Sequence, residues 1–429
     1  MLNILSNRTY RHLFMAQVIA LIGTGLATVA LGLLAYDLAG DRAGAVLGTA
    51  LAIKMSAYIL VAPVAAAFAD KFPRRTMLVT LDLVRALVAI ALPFVTQIWE
   101  IYILIFVLQS ASAAFTPTFQ ATIPDILPDE REYTRALSLS RLAYDLESVI
   151  SPMLAAALLT VMSFHNLFAG TAVGFLASAA LVVSVTLPKM KALTVKRSIY
   201  DKTTRGMRIF LKTPRLRGLL ALNMAVAAAS AMVIVNTVVL VQADFGFSQR
   251  SIALAFFGVG SMVSALVLPK LLDKMSDRMP MLVGTALLVI GLGLGIFLKD
   301  YVTLVVLWAL LGVGYSLSQT PSGRLLRRSS TAEDRPALFA AQFALSHSCW
   351  LVTYPLAGWV GATWGTQASF VAQPKLPFVA VLSLLAAVLI WRPEHEAYAQ
   401  IHRHTDSDTT HEHDFVIDDE HPSWPKKDK

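Results

Sequence analysis

Apolar blocks long enough to cross a bilayer, roughly 20 residues each, follow one another along the chain with only short polar breaks between them. In hydrocarbon every backbone polar group has to be satisfied within the segment, and a chain written in this way is confined to helices. About twelve blocks can be marked by their breaks, from one centred near Leu21 to one centred near Leu384. Composition agrees: 56% of the 429 residues are hydrophobic and only 15% are charged, too few to disperse a soluble domain of this size. The predicted class is an all-α polytopic membrane protein. The start, MLNILSNRTYRHLFMAQV, has no short apolar core followed by a small-residue cleavage site, and the first span is expected to serve as the insertion signal. The single cysteine, Cys349, rules out an intrachain disulfide.

The formal charge of +8 is laid out as a topology signal and not as a nucleic-acid surface. Arg8 and Arg11 precede the first block, Lys71, Arg74 and Arg75 follow the second, and residues 189–217 are rich in Lys and Arg. Lys274, Arg278, Arg324, Arg327, Arg328 and Arg335 continue the series, whereas the alternate loops carry little beyond Arg42, Arg250, Lys299 and Lys375. The positive-inside rule then predicts a multi-pass protein of the cytoplasmic (inner) membrane with both termini in the cytoplasm. Anionic lipid headgroups are a plausible further partner of the basic loops.

The chain also repeats itself. The only long hydrophilic interruption between blocks falls at 188–216, leaving six blocks in residues 1–187 and six in 217–392. The charged islands DKFPRR and DKMSDR lie 203 residues apart (273 − 70), and Pro152 and Pro355 share that offset (355 − 152). Thr116–Pro117 and Thr320–Pro321 are 204 apart (320 − 116). Equivalent elements in one membrane orientation imply a parallel repeat about an axis along the membrane normal, here two pseudo-symmetric six-helix bundles with a site between them.

The first island, read with its upstream residues as Ala66-Ala-Phe-Ala-Asp70-Lys71-Phe-Pro73-Arg74-Arg75, resembles the signature loop of the major facilitator superfamily (MFS). Ala66 and Pro73 replace two glycines of that pattern, while the acid and the basic residues remain. The resemblance covers about Arg8 to Arg392. AFTPTFQATIPDILPDEREYTRALSLSR and LDLVRA look like the branch holding macrolide-efflux, siderophore-export and nickel-resistance proteins. It implies an alternating-access transporter whose gating set is Asp70, Lys71, Arg74 and Arg75 with Asp273, Lys274 and Arg278. It also implies that Asp70 faces the start of span eleven, near EDRPALF, across the seam between the halves. ESVISPMLAAALL resembles the span-five Gly-Pro-x-x-Gly-Gly motif of antiporters, with Pro152 kept and the glycines replaced by Ser151, Ala155 and Ala156.

Ionisable residues inside spans are costly and are candidates for function by default. They concentrate in the N-terminal half: Lys54, Asp82, Arg85, Arg141, Asp145 and Glu147. Asp82 and Arg85 (i,i+3) and Arg141 and Asp145 (i,i+4) can each pair on one helix face. Glu147 has no local partner, and a desolvated carboxyl that gains and loses a proton is what coupling to H⁺ requires. Glu147 is therefore the expected proton carrier, followed by Asp145 and then Asp37, while Lys54 is expected to reach Glu147 or Asp145 across helices.

Tyr144, Pro152, His347, Cys349, Trp350, Tyr354 and Pro355 are expected to line the substrate cavity. The segment 393–429 differs in kind: His395, His402, His404, His411, His413 and His421 alternate with acids and few large apolar residues. It reads as a disordered cytoplasmic tail that could hold a transition metal. Two substrates stay open, a toxic drug-like organic compound and a divalent metal such as nickel or cobalt; import of a small metabolite is a third reading. No Walker A stretch occurs, and the expectation is a monomeric transporter, not an enzyme, with no cofactor.

Overall fold

A computed structural model describes residues 2–188, 197–244, 247–297, 300–364, 375–392, 399–403, 410–418, 421, 423 and 424. The helices are α1 (Arg8–Ala39), α2 (Ala43–Phe68), α3 (Arg74–Ala91), α4 (Ile98–Ile126), α5 (Glu130–Leu159) and α6 (His165–Val183), then α7 (Ile199–Lys212) in the linker. There follow α8 (Pro214–Asp244), α9 (Phe247–Leu272), α10 (Arg278–Leu294), α11 (Tyr301–Gln319), the short α12 (Ser322–Arg328), α13 (Arg335–Trp364) and α14 (Lys375–Ile390). Among the described residues nine helices are long and apolar enough to cross a membrane, and Arg278–Leu294 and Leu376–Ile390 are shorter apolar helices. Large apolar side chains such as Leu60, Leu87, Ile103, Val263, Val306 and Leu389 face outward, as contact with lipid tails allows.

The polar breaks start helices. Side chains there take up N–H groups that a first turn leaves unpaired: Asn7 accepts from the Tyr10 N–H (3.1 Å), Asp129 from Glu132 (2.9 Å) and Ser198 from Asp201 (3.2 Å). Asp300 accepts from the Thr303 N–H at 2.8 Å, which holds its carboxyl below the usual carboxylate range. The two Thr-Pro pairs behave differently. Pro117 is carried inside α4, whereas Pro321 ends the run of α11 and opens α12.

Packing follows the repeat. Within the first six helices α1 packs on α5 and α6, α2 on α4, and α3 on α4 and α6. Replacing α1 to α6 by α8, α9, α10, α11, α13 and α14 turns each of these pairs into one that is also packed: α8 on α13 and α14, α9 on α11, and α10 on α11 and α14. The chief contacts between the two sets, α2 on α13 and α5 on α9, exchange under the same replacement. Small residues permit the closest of these approaches. A Cβ at Gly260 would be driven into the Ala309 carbonyl and one at Gly312 into that of Phe257, which fixes α9 and α11 against each other.

The linker helix crosses the seam, touching α2, α8 and α13. The tail, expected to be disordered, is described in part. Strands β1 (Ala399–Arg403) and β2 (Thr410–Asp414) pair antiparallel with His402 opposite His411 and Gln400 opposite His413. Beyond them Phe415 and Ile417 are buried, with Trp424 packed alongside, in a cluster with Ile209 and Phe210 of α7, Leu216 and Leu219 of α8 and Leu325 of α12. The composition argument missed this because three well-placed apolar side chains suffice to anchor a tail on a core that other segments have already built.

Candidate functional site

The end of the molecule that carries the basic loops is closed by ion pairs between the two sets of helices. Asp125, at the end of α4, binds Arg74 at 2.6 Å within its own half and Arg335 of α13 across the seam. Arg74 is buried and Asp125 and Arg335 are partly buried, so these pairs are little screened by solvent. Glu130, opening α5, binds Arg324 at 2.6 Å and Arg328 at 2.7 Å, and the same two arginines meet Asp277 at 3.0 and 3.2 Å. Arg324 also donates to the Thr134 hydroxyl across the seam (3.1 Å). Asp334 ties the linker to the start of α13 through Arg197 (3.2 Å) and Arg205.

The sequence-predicted gating residues occupy this end unevenly. Arg74 belongs to the network, Arg75 is exposed and donates to the Val183 carbonyl, and Lys71 is exposed with its ammonium 4.8 Å from the Phe68 ring. Asp273 meets Arg131 at 3.7 Å in an exposed pair, Lys274 is exposed, and Arg278 donates to the Trp391 carbonyl at 2.6 Å. The expected contact of Asp70 lies outside the described residues. The acid seen facing Arg335 is Asp125, which sequence reading passed over. The repeat itself held the signal, since Arg74 and Asp277, and Asp125 and Arg328, are each 203 residues apart (277 − 74; 328 − 125).

Deeper in the helices the embedded charges sort into three environments. Asp82 and Arg85 pair as their spacing predicts, both buried. The Ser178 hydroxyl donates to the other Asp82 oxygen at 2.8 Å, and the guanidinium lies between the rings of Phe115 (4.1 Å) and Phe175 (4.5 Å). That pair is enclosed in one half. Arg141 and Asp145 also pair, but Arg141 donates its Nε to the Ser261 hydroxyl of α9 (3.2 Å) and lies over the Tyr315 ring of α11 (4.4 Å). Glu147 is half-buried, one turn further along, and makes no hydrogen bond or ion pair among the described residues. A Cβ at Gly25 of α1 would strike Ser151 and come 2.7 Å from Glu147 Oε1, so α1 walls that carboxyl closely.

Lys54 makes no ion pair with Glu147 or Asp145; its ammonium lies 5.6 Å from the Tyr58 ring centre, and its field reaches both Glu147 and His347. Tyr58 donates to Gln109 at 2.9 Å and meets Phe343 and His347 of α13 with ring centres 4.8 and 4.7 Å apart. Lys54, Tyr58, Phe343 and His347 thus bring α2 and α13 to one polar-aromatic patch at the seam. His347 is held there by its Nδ1 and the Phe343 carbonyl, 2.7 Å apart.

Tyr144 is half-buried one turn before Ser148 on α5, Trp350 and Tyr354 stack 5.0 Å apart on α13, and Pro355 is exposed. Cys349 is buried and bonded to the Leu345 carbonyl, away from His347 as their i,i+2 spacing requires. Asp37 is exposed near the end of α1, and the side chain of Pro152 lies outside the described residues. Among the described residues no three His, Cys, Asp or Glu converge in a metal-binding group. Of the tail histidines only the His421 side chain is described, 3.1 Å from Asp418; the side chains of His395, His402, His404, His411 and His413 lie outside the described residues.

An all-α bundle of apolar helices, tied at one end by ion pairs between its halves and carrying embedded charges, has the architecture of a polytopic membrane protein. The sequence matches the Major Facilitator Superfamily over residues 13–281 and 219–411, and the chain belongs to that family. It is 28% identical over 145 residues to the uncharacterized MFS-type transporter YfiS of Bacillus subtilis, a stretch that is 34% of each chain. It is 24% identical over 154 residues to macrolide efflux protein A of Enterococcus faecalis (34% of this chain, 47% of that one). To the protein of the same name from Streptococcus pyogenes it is 23% identical over 154 residues (33% and 38%). The chain thus spans between a third and a half of the length of these relatives. The fold matches the crystal structure of the human organic anion transporter MFSD10 (TETRAN) with a TM-score of 0.77 at 13% identity, over 89% of this chain and 99% of that one.

Proposed function

We propose that the chain exports a drug-like organic compound from the cytoplasm in exchange for protons. Twelve spans in two six-helix bundles, residues 1–187 and 217–392, rock about the α2–α13 and α5–α9 seams of a monomer in the inner membrane. The positive-inside rule assigns the sealed basic end to the cytoplasm. The observation that carries the reading is Glu147: a carboxyl without an ion pair among the described residues, set in a span, walled by Gly25 and within the field of Lys54. Such a group can stay neutral facing one side and ionise facing the other. Likeness to macrolide efflux proteins over a third of the chain favours an organic solute, and the aromatic side chains of Tyr58, Phe343, Trp350 and Tyr354 suit one.

Proteoliposomes holding the purified protein, a radiolabelled macrolide and an imposed pH gradient test this. Wild type should accumulate the macrolide against its gradient and carry protons the other way. Glu147→Gln should lose the accumulation but keep equilibrium exchange of labelled for unlabelled macrolide. Accumulation that persists in Glu147→Gln, or its absence in wild type under any pH gradient, overturns the proposal.

A further inference from the structure

The two buried Arg–Asp pairs differ in what surrounds them, and the difference assigns a task to one of them. Asp82 is fully partnered, with Arg85 on one oxygen and Ser178 on the other, and every contact belongs to the same half. Asp145 uses only Oδ1, which accepts from both Nε (3.0 Å) and Nη2 of Arg141. Its Oδ2 is buried and, among the described residues, accepts from nothing. The Arg141 guanidinium also meets the Ser261 hydroxyl and Tyr315, both of which belong to the opposite half.

We propose that Arg141 is a two-state positioning residue: docked, it joins α5 to the α9–α11 surface; undocked, it swings onto both oxygens of Asp145 as the halves separate. The inference rests on the alternating-access reading and adds the residue that registers the change. Three features support it. The ionic contact is within one helix and travels with α5, so movement at the seam breaks the hydrogen bond to the Ser261 hydroxyl and the contact with the Tyr315 ring but not the ion pair. The α9–α11 surface is presented as one body, because Gly260 and Gly312 bring those two helices into backbone contact in the turn leading into Ser261. Finally, the vacant Oδ2 offers the undocked guanidinium the two-pronged carboxylate geometry that arginine favours, so losing Ser261 does not leave a donor stranded.

Double electron–electron resonance tests this without a transport assay. Spin labels at Lys71→Cys and Lys274→Cys, in a Cys349→Ser background, report the separation of the halves at the basic end, since both positions are exposed and one lies in each half. Ser261→Ala with Tyr315→Leu removes the docking surface and leaves the ion pair. It should raise the ratio of long to short separations at least tenfold, about the scale of one hydrogen bond from a charged donor. Arg141→Lys, which keeps the charge but not the planar fork, should shift the ratio the same way, and Arg85→Lys should not. An unchanged distribution in the docking double variant, or an equal shift in Arg85→Lys, overturns the proposal. Failure of the Glu147 reading would show instead as pH-driven accumulation that survives Glu147→Gln, with the resonance result unaffected.

Discussion

Asp125 and Arg328 hold equivalent places 203 residues apart (328 − 125) and carry opposite charges. Each binds one partner in its own half, Arg74 for Asp125 and Asp277 for Arg328, and those partners share the offset with their charges also exchanged (277 − 74). Each then reaches one partner in the other half, Arg335 for Asp125 and Glu130 for Arg328. The N-terminal half therefore offers mainly carboxylates to this seam and the C-terminal half mainly guanidinia. An inverted duplicate makes the halves complementary to each other and repulsive to a copy of themselves.

Asp125→Asn should open the basic end. It leaves Arg74 and Arg335 close together without their anion, and breaking a buried pair from one side costs about 3–5 kcal/mol. The same spin-label pair at positions 71 and 274 should show the long separation gaining population. The exposed pair Arg131–Asp273 offers the contrast. Asp273→Asn should move the ratio less than fivefold, because exposed pairs contribute about 0–1 kcal/mol.

Much of the molecule is legible in the sequence because its strongest signals are local. Spans follow from block length, and the self-pairing of Asp82 with Arg85 from i,i+3 spacing. What the sequence conceals is whatever depends on which helices meet. Arg141 and Asp145 are as legible a pair as Asp82 and Arg85, yet only the packing of α5 on α9 shows that one faces the other half. The aromatic patch of Tyr58 and His347 joins residues 289 positions apart (347 − 58), and no spacing rule reaches that far. Asp125 was overlooked for another reason. It sits at a span end among ordinary loop charges, and only its inverted counterpart at 328 marks it.

Gly25 should tolerate no side chain. A Cβ there would strike Ser151 and press on Glu147 Oε1, and α1 has no room to retreat because Gly23 already lies against the Thr171 backbone of α6. Gly25→Val should reduce pH-driven transport at least tenfold, as misplacing a functional group by about 1 Å does elsewhere. Expression and detergent-solubilised folding should fall less than transport. Near-normal transport by this variant would mean that Glu147 need not be held where it is seen.

The tail should contribute to stability. Phe415 and Ile417 are buried against α7 and α8, and Arg215, itself buried, donates to the Phe415 carbonyl at 3.3 Å with Trp424 over its guanidinium at 5.5 Å. Phe415→Ala should destabilise the detergent-solubilised protein by about 3–5 kcal/mol if the site cannot collapse. A truncation after Arg392 should lower the melting temperature at least as far. No change in either would mean that the tail leaves this surface in solution.

The Asp82–Arg85 pair should behave as a structural element. Removing one member leaves a buried charge without its counter-ion, the guanidinium between two phenylalanines or the carboxylate with Ser178, and either Asp82→Leu or Arg85→Met should cost about 3–5 kcal/mol and lower the yield of folded protein. Replacing both together removes the charge with the partner that compensated it. The cavity between Phe115 and Phe175 is then filled by apolar atoms, and such a double replacement is often neutral or stabilising. The double variant should therefore recover folding and, because every contact of the pair lies within one half, recover transport too. A matching double replacement of Arg141 and Asp145 should recover folding but not the population of the docked state. The comparison separates a pair that holds a bundle together from one that spans the moving seam, with the same chemistry on both sides of the experiment.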